Sequence, residues 1–200
     1  GAHPADPTNS KQGRFSFSSD ERASFECALD GSSFAACESP AVYEDLAEGV
    51  HTFQVHATDP AGNREETPAS YSWTIDTTDP ETTIDERPPD PANSSSATLW
   101  FSADEAGASF ECALDEAAFA PCLSPAVHSD LAEGRHTFQV RATDRAGNPD
   151  ATAASYSWTV DTTAPETTLG ERPDDPTNGS SATFTFTADD ASASFECARD

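Results

Sequence analysis

Two short stretches of the sequence place side-chain oxygens at a spacing that could bind calcium. They read TDPAGN at 58–63 and TDRAGN at 143–148, so Asp59 with Asn63, and Asp144 with Asn148, flank a Gly in one tight turn. Calcium takes about six to eight oxygen ligands, and ligand charge raises its affinity. Asp and Asn also cap turns through their own backbone without any metal. The sequence lacks the dense D-x-D-x-D spacing of a dedicated calcium loop, which favours the metal-free turn.

Acidic residues near 76–81 could extend such a calcium site across a domain boundary. Asp76, Asp79 and Glu81 follow the predicted last strand of the first repeat. Ala164 stands where Asp79 would recur at the second junction, so a junction site would not repeat faithfully.

The histidines are the other residues that could do chemistry. His51 and His136 occupy equivalent positions, shortly after a Gly and at the start of a predicted strand. Neither has a Ser, Cys or carboxylate at a spacing typical of a catalytic set, and a structural role is favoured. The sequence also contains no GxSxG, HExxH or phosphate-binding loop. It therefore predicts neither enzyme activity nor a cofactor, with calcium as the one open possibility.

Four of the five cysteines form two pairs with identical spacing, Cys27 with Cys37 and Cys112 with Cys122. The spacing C-x9-C is not a zinc pattern, which needs closely spaced pairs. A turn between the two cysteines would put them on facing strands of one hairpin, at about the separation of a disulfide. Two disulfides predict an extracytoplasmic compartment; the alternative is buried free thiols in a cytosolic protein. The partner of Cys197 is expected beyond the last residue.

Trp100 is predicted to point outward from its strand, and exposed aromatic rings stack on sugars or protein partners. Ser16 and Thr185 stand at its equivalent positions, so no repeated aromatic platform exists. A lone exposed ring, or one covered by a neighbouring domain, is the alternative to a binding site.

The elements that position these residues come from an internal repeat of 85 residues. HTFQVHATDPAGN at 51–63 returns as HTFQVRATDRAGN at 136–148, and Trp73 maps to Trp158. The expected domains are a first repeat (1–79) that lacks its first strand, a complete second repeat (80–164) and a truncated third repeat (165–200). The chain is interpreted as a fragment of a longer protein.

Hydrophobic residues alternate with period two rather than 3.6, which predicts strands with one face on a core. In the second repeat Leu99 and Phe101 alternate with Trp100, and Phe138 and Val140 alternate with Gln139. Spacers rich in Gly, Pro, Asn and Asp separate these strands. About seven short strands per repeat predict an all-β fold of tandem antiparallel β-sandwiches, without helices.

A net charge of −26, with 36 acidic residues against 10 basic ones, excludes several function classes. Nucleic-acid binding needs a basic face that displaces counterions, and an anionic membrane surface would repel this chain. The sequence has no apolar run near the 18 or so residues that a membrane span requires.

DLAEGRHTFQVRATDRAGN at 130–148 resembles the E–F corner, strand F and F–G turn of fibronectin type III and related bacterial immunoglobulin-like domains. The corner Leu is Leu131 (Leu46 in the first repeat) and the aromatic residue is Phe138 (Phe53). The family often has Tyr at that position, where its hydroxyl ties down the corner. Because Phe has no hydroxyl, we expect packing alone to hold this corner. TVDTTAPETT at 159–168 resembles the junction between tandem repeats.

The resemblance implies Ig-like or fibronectin-III-like repeats of large secreted or cell-surface bacterial proteins. We expect a non-catalytic spacer or adhesion stalk, whose partners are neighbouring repeats of the same chain and a cell-surface or polysaccharide ligand. The alternative is a carbohydrate- or protein-binding accessory module of a larger extracellular enzyme. The short junction with Pro80 should be stiff, so each repeat should add on the order of 30–40 Å of reach.

Overall fold

The computed structural model describes residues 1–198, and these residues form strands, turns and loops. The strands in chain order are β1 (Gly13–Phe15), β2 (Ser24–Leu29), β3 (Ala35–Cys37), β4 (Ala41–Tyr43), β5 (Gly49–Thr58), β6 (Ala69–Ile75), β7 (Thr82–Glu86), β8 (Ala97–Ala103), β9 (Ser109–Leu114), β10 (Ala120–Cys122), β11 (Ala126–His128), β12 (Gly134–Thr143), β13 (Ala154–Val160), β14 (Thr167–Leu169) and β15 (Phe186–Ala188). Within 1–198, no helix is long and apolar enough to cross a membrane.

The second repeat is an antiparallel sandwich of two sheets. One sheet has the strand order β10-β9-β12-β13 and the other has the order β11-β8-β7. Its seven strands match the number that the alternating pattern predicts, and the fold class is confirmed as all-β. Every sheet lies inside one of the three predicted residue ranges, although the exact domain boundaries stay a prediction.

The core of the second repeat lies between its two sheets. It contains Leu99, Phe138, Val140, Trp158 and Val160, each at most 1% exposed. These are the inward-facing residues of the period-two pattern, so alternation alone locates most of the core. Ala113 departs from the pattern, because it faces away from the core cluster in sequence alternation yet is only 4% exposed. It pairs with Gln139 of β12 in the middle of the four-stranded sheet, where longer neighbouring side chains can cover a methyl group.

The first repeat has the same four-stranded sheet, in the order β3-β2-β5-β6, but its second sheet contains only β1 and β4. Its core includes Phe15, Phe53, Trp73 and Ile75. Ala2 accepts a hydrogen bond from the Ser16 amide at 2.9 Å, so the first residues of the chain run beside β1.

The third repeat contains one antiparallel pair, β14 with β15, in its described part. Thr167, Thr168 and Leu169 of β14 are all exposed. The Phe186 and Phe195 rings lie 4.8 Å apart.

Both predicted disulfides are present, Cys27–Cys37 and Cys112–Cys122, each with Cα atoms 5.8 Å apart. Cys112 pairs in register with Ala120, and Cys122 with Phe110, so the bond crosses the β9–β10 hairpin diagonally. Closing a loop of this length contributes about 3 kcal/mol in the chain-entropy model. Cys197 is a free, exposed thiol.

Candidate functional sites

A buried histidine ties down the corner before β12. The His136 Nε2 atom lies 2.9 Å from the Ala132 carbonyl oxygen, and its Nδ1 atom lies 3.0 Å from Asp115 Oδ2. His51 repeats both contacts in the first repeat, at 2.7 Å to the Ala47 carbonyl and 2.7 Å to Asp30. The expectation that packing alone holds the corner is therefore wrong. His136 lies two residues before Phe138, and its ring forms a hydrogen bond with the backbone carbonyl of Ala132, four residues upstream of the histidine.

The two contacts of His136 favour its protonated form. A carbonyl and a carboxylate both accept hydrogen bonds, so both ring nitrogens act as donors only when the imidazole is charged. The Ala132 carbonyl and then Asp115 raise the pKa of His136 above its ordinary value, while desolvation opposes them. At Asp115 desolvation raises the pKa, but the hydrogen bonds from His136 and the Thr137 amide outweigh it, and the pKa is lowered.

The carboxylate partner needs an unusual backbone conformation to reach the histidine. Asp115 has φ +56° and Asp30 has φ +52°, in the left-handed region that Asp and Asn tolerate better than most residues. Asp115 Oδ1 also accepts the Thr137 amide at 2.9 Å. Because the Nε2 proton of His136 points at a carbonyl oxygen, this His–Asp pair is arranged as a brace and offers no free base to a substrate.

Each of the two Asp-x-x-Gly-Asn turns is held by hydrogen bonds between its own residues. Asp144 Oδ1 accepts the Gly147 amide at 2.6 Å and the Asn148 amide at 2.7 Å, and its Oδ2 accepts Asn148 Nδ2 at 2.7 Å. In the first repeat Asn63 donates to both carboxylate oxygens of Asp59, each at 2.8 Å. The turn therefore forms in both repeats through Asp–Asn hydrogen bonds. Calcium binding at these four residues stays a prediction.

The second turn differs from the first because it lies against the junction. Asp144 is 7% exposed and Asn148 is 6% exposed, whereas Asn63 is exposed. Asn148 Nδ2 donates to the Asp76 carbonyl oxygen at 2.9 Å, which connects the end of the first repeat to the F–G turn of the second.

Three carboxylates meet at this junction. Side-chain oxygens of Asp76, Glu105 and Asp144 all lie within 4.8 Å of one another. Desolvation and then the negative charges of Asp76 and Asp144 raise the pKa of Glu105. Of the junction acids named from the sequence, Asp76 belongs to this cluster, while Asp79 and Glu81 are exposed and lie outside it. Glu105 was missed, because nothing in the sequence indicates that the β8–β9 turn approaches the preceding repeat.

The junction backbone is anchored on both sides. Thr77 and Thr78 donate hydroxyl hydrogen bonds to the Glu48 carboxylate at 2.7 and 2.9 Å. The Glu81 amide donates to Asp104 Oδ1 at 2.8 Å. The second junction repeats this arrangement, with Thr162 on Glu133 and the Glu166 amide on Asp189 at 2.7 Å.

Trp100 lies on the outer face of β8 and is 46% exposed, as the alternation predicts. Val127 of the neighbouring strand β11 is 66% exposed on the same sheet. Its pairing partner is Thr98, two residues before Trp100. Ligand binding at Trp100 stays a prediction.

Comparison with known proteins finds no matching family model and no matching curated protein. Among solved structures, the fibronectin(III)-like modules of Clostridium thermocellum CbhA share 13% identity, with 78% of this chain and 88% of theirs covered and a TM-score of 0.46. A 1.5-MDa bacterial ice-binding adhesin shares 17% identity, with 82% and 62% covered and a TM-score of 0.39. A tetra-tandem repeat from the extending region of a large adhesion protein shares 18% identity, with 82% and 48% covered and a TM-score of 0.33. Similarity at these levels concerns the fold and carries no functional argument.

Proposed function

We propose that this chain is a non-catalytic spacer or adhesion stalk, a segment of tandem disulfide-bonded sandwiches in a secreted or cell-surface protein. The observation that carries the proposal is the junction between the first and second repeats. Its backbone is hydrogen-bonded on one side through Glu48 and on the other through Asp104, with Asn148 connecting to Asp76. A linker anchored in this way transmits the direction of one sandwich to the next, which a stalk requires.

Two further features support a spacer outside the cytoplasm. The disulfides Cys27–Cys37 and Cys112–Cys122 persist best under oxidising conditions. The net charge of −26 makes neighbouring stalks repel one another, which keeps them in solution. Neighbouring repeats of the same chain are the first partners of each sandwich in this proposal.

Small-angle X-ray scattering of the full chain tests the proposal. A compact 200-residue protein has a radius of gyration of about 16 Å, whereas sandwiches joined end to end should exceed about 20 Å. The Glu48→Ala variant should broaden the interdomain distance distribution, because it removes the acceptor of Thr77 and Thr78. Glu44→Ala is the matched control, because Glu44 is an exposed acid four residues earlier that makes no hydrogen bond to Thr77 or Thr78. A compact wild-type chain would refute the stalk.

Trp100 supports the second candidate, a carbohydrate- or protein-binding accessory module. A polysaccharide pull-down should lose binding with Trp100→Ala and keep it with Leu123→Ala, since Leu123 is another exposed apolar residue of the second repeat. Retention that is unaffected by Trp100→Ala would remove this candidate.

A further inference from the structure

The outer face of the three-stranded sheet in the second repeat presents an aromatic ring to solvent. Trp100 is exposed, whereas its neighbours on β8, Leu99 and Phe101, are buried in the core. The apolar surface continues on β11, where Val127 is exposed. Val127 pairs in register with Thr98, two residues before Trp100, so its side chain lies on the same face as the indole. Trp100 and Val127 therefore form a short apolar strip across β8 and β11.

A β-bulge in β7 places two carboxylates next to this ring. The register of β7 on β8 shifts between Ile84 and Glu86, and Glu86 pairs with Trp100. Asp85 is the extra residue of the bulge, in which two residues of one strand oppose one residue of the other. Glu86 lies on the same face as its partner Trp100. The Asp85 carboxylate lies there too, because its Oδ1 atom accepts a hydrogen bond from the Ser102 hydroxyl at 3.2 Å.

These two carboxylates have no basic partner in the described part of the chain. Asp85 and Glu86 are both exposed, and none of the ion pairs within residues 1–198 involves either of them. The next residue, Arg87, turns towards the four-stranded sheet, where its Cζ atom lies 4.5 Å from the centroid of the Tyr156 ring. The surface beside Trp100 therefore combines an aromatic face with two carboxylates that are free to meet a cation.

This combination favours a sugar that carries a positive charge. The indole ring of Trp100 can stack on the C–H face of a sugar and also attracts a nearby cation, while carboxylates form strong hydrogen bonds with an ammonium group. An acidic polysaccharide would be repelled by the same carboxylates and by the net charge of −26. Extended peptides usually dock at a sheet edge or in a groove. Trp100 instead lies on β8, the central strand of its sheet, which is already paired on both sides.

We infer that the Trp100 face of the second repeat binds a polysaccharide that carries free amino groups, such as a polymer of glucosamine. The inference rests on the second candidate function, the carbohydrate-binding accessory module, and it specifies the ligand class of that module. One sugar ring stacks on the indole, and its ammonium group lies against Asp85 and Glu86. The site is confined to the second repeat, because Ser16 and Thr185 stand at the position of Trp100 in the other two.

Isothermal titration calorimetry of the full chain with a glucosamine hexamer tests the inference at pH 5.5, where the sugar amines are protonated. Binding should be saturable. The fully N-acetylated hexamer should bind about tenfold more weakly, because acetylation removes the positive charge and keeps the sugar rings. Tryptophan fluorescence locates the site: Trp73 and Trp158 are each 1% exposed, so a change in emission on binding reports Trp100.

Two sets of variants separate the ring from the carboxylates. Trp100→Ala should weaken binding about tenfold, whereas Trp100→Phe, which keeps an aromatic ring, should weaken it about threefold. The double variant Asp85→Asn with Glu86→Gln should weaken binding about fivefold, the loss expected for exposed ion pairs. The matched control is the double variant Glu66→Gln with Glu116→Gln, which removes the same charge from exposed acids elsewhere and should bind like wild type. An unchanged far-ultraviolet circular dichroism spectrum shows that each variant remains folded.

Absence of saturable binding at millimolar hexamer would overturn the inference, and so would an equal loss of affinity in the control double variant. Equal binding of the N-acetylated hexamer that is lost in Trp100→Ala would overturn the recognition of amines and leave the carbohydrate-binding module standing. Hexalysine that binds as tightly and changes the Trp100 emission equally would assign the surface to a basic peptide and overturn the inference. None of these outcomes bears on the stalk proposal, which rests on the junction between the first and second repeats.

Discussion

Replacing His136 with glutamine should destabilise the second repeat, and it should do so most at acidic pH. The side chain donates one hydrogen bond to the Ala132 carbonyl and another to the Asp115 carboxylate, and it is only 11% exposed. Hydrogen bonds to charged groups contribute about 1.5–3 kcal/mol each. Glutamine is neutral, and its side chain cannot reach both partners as the imidazole ring does. We therefore expect the free energy of unfolding to fall by about 3 kcal/mol below pH 6.

The pH dependence follows from the direction of the pKa shift. The pKa of His136 is raised in the folded state, first by the Ala132 carbonyl and then by Asp115. The protonated form therefore stabilises the fold fully below the unfolded-state pKa of about 6.5. This stabilisation is lost as the pH rises through the raised pKa. The difference in unfolding free energy between wild type and His136→Gln should fall to about 1 kcal/mol above pH 9, where one neutral hydrogen bond remains.

Native-state hydrogen exchange of the full chain measures this effect locally, once intrinsic exchange rates are corrected for pH. Amides of β12 should lose protection in His136→Gln, whereas amides of β5 in the first repeat serve as the reference within the same molecule. Asp115→Asn separates charge from geometry, because Asn tolerates the left-handed backbone and still accepts the Thr137 amide. If the β12 amides of His136→Gln lose the same protection at pH 5.5 and at pH 9, a stabilising role for the protonated His136 is refuted.

Three other predictions follow from the same structure. Replacing Cys112 and Cys122 with alanine should lower the unfolding free energy of the second repeat by about 3 kcal/mol; an unchanged denaturation midpoint would contradict the role of that disulfide. Any rise in melting temperature that calcium causes should be smaller in Glu105→Gln than in wild type and the control Glu116→Gln, because Glu105 is one of three clustered carboxylates. Equal shifts in all three proteins would exclude the junction as the binding site. Amides of residues 165–198 should exchange with solvent faster than those of the second repeat, since β14 is exposed. Equal protection would contradict this and show that contacts beyond the β14–β15 pair stabilise the third repeat.

The sequence predicts the sheets well because burial on one face imposes a period of two. Leu99 and Phe101 alternate with Trp100 in the sequence, and they are buried while Trp100 is exposed. Two cysteines ten residues apart around a turn are likewise a local pattern, and both disulfides have the expected partners. In each case the information lies within one strand or one hairpin.

The sequence does not predict the His–Asp brace, because Asp115 lies in the turn after β9 and His136 lies on β12. Asp115 precedes His136 by 21 residues, and no local pattern joins them. A signal was present in the repeat itself, since Asp30 and His51 recur at the same offset as Asp115 and His136. The hydroxyl that Phe138 lacks is replaced by the ring of His136, two residues earlier, rather than by any group at the Phe position itself.

The junction was predicted only in part, for a similar reason. The sequence indicates that Asp76 is a junction acid, because it follows the last strand of the first repeat. Glu105 joins it through the β8–β9 turn, which approaches the junction only after the second sandwich has folded. A contact between two repeats depends on their relative placement, and an 85-residue periodicity contains no information about that placement.

Residual dipolar couplings measured on the full chain test the central claim, a stiff junction between consecutive sandwiches, most directly. Couplings from β1–β6 and from β7–β13 should fit one alignment tensor, because hydrogen bonds through Glu48, Asp104 and Asn148 connect the junction to both repeats. Two tensors of clearly different magnitude would show independent tumbling, and they would contradict a rod-like spacer.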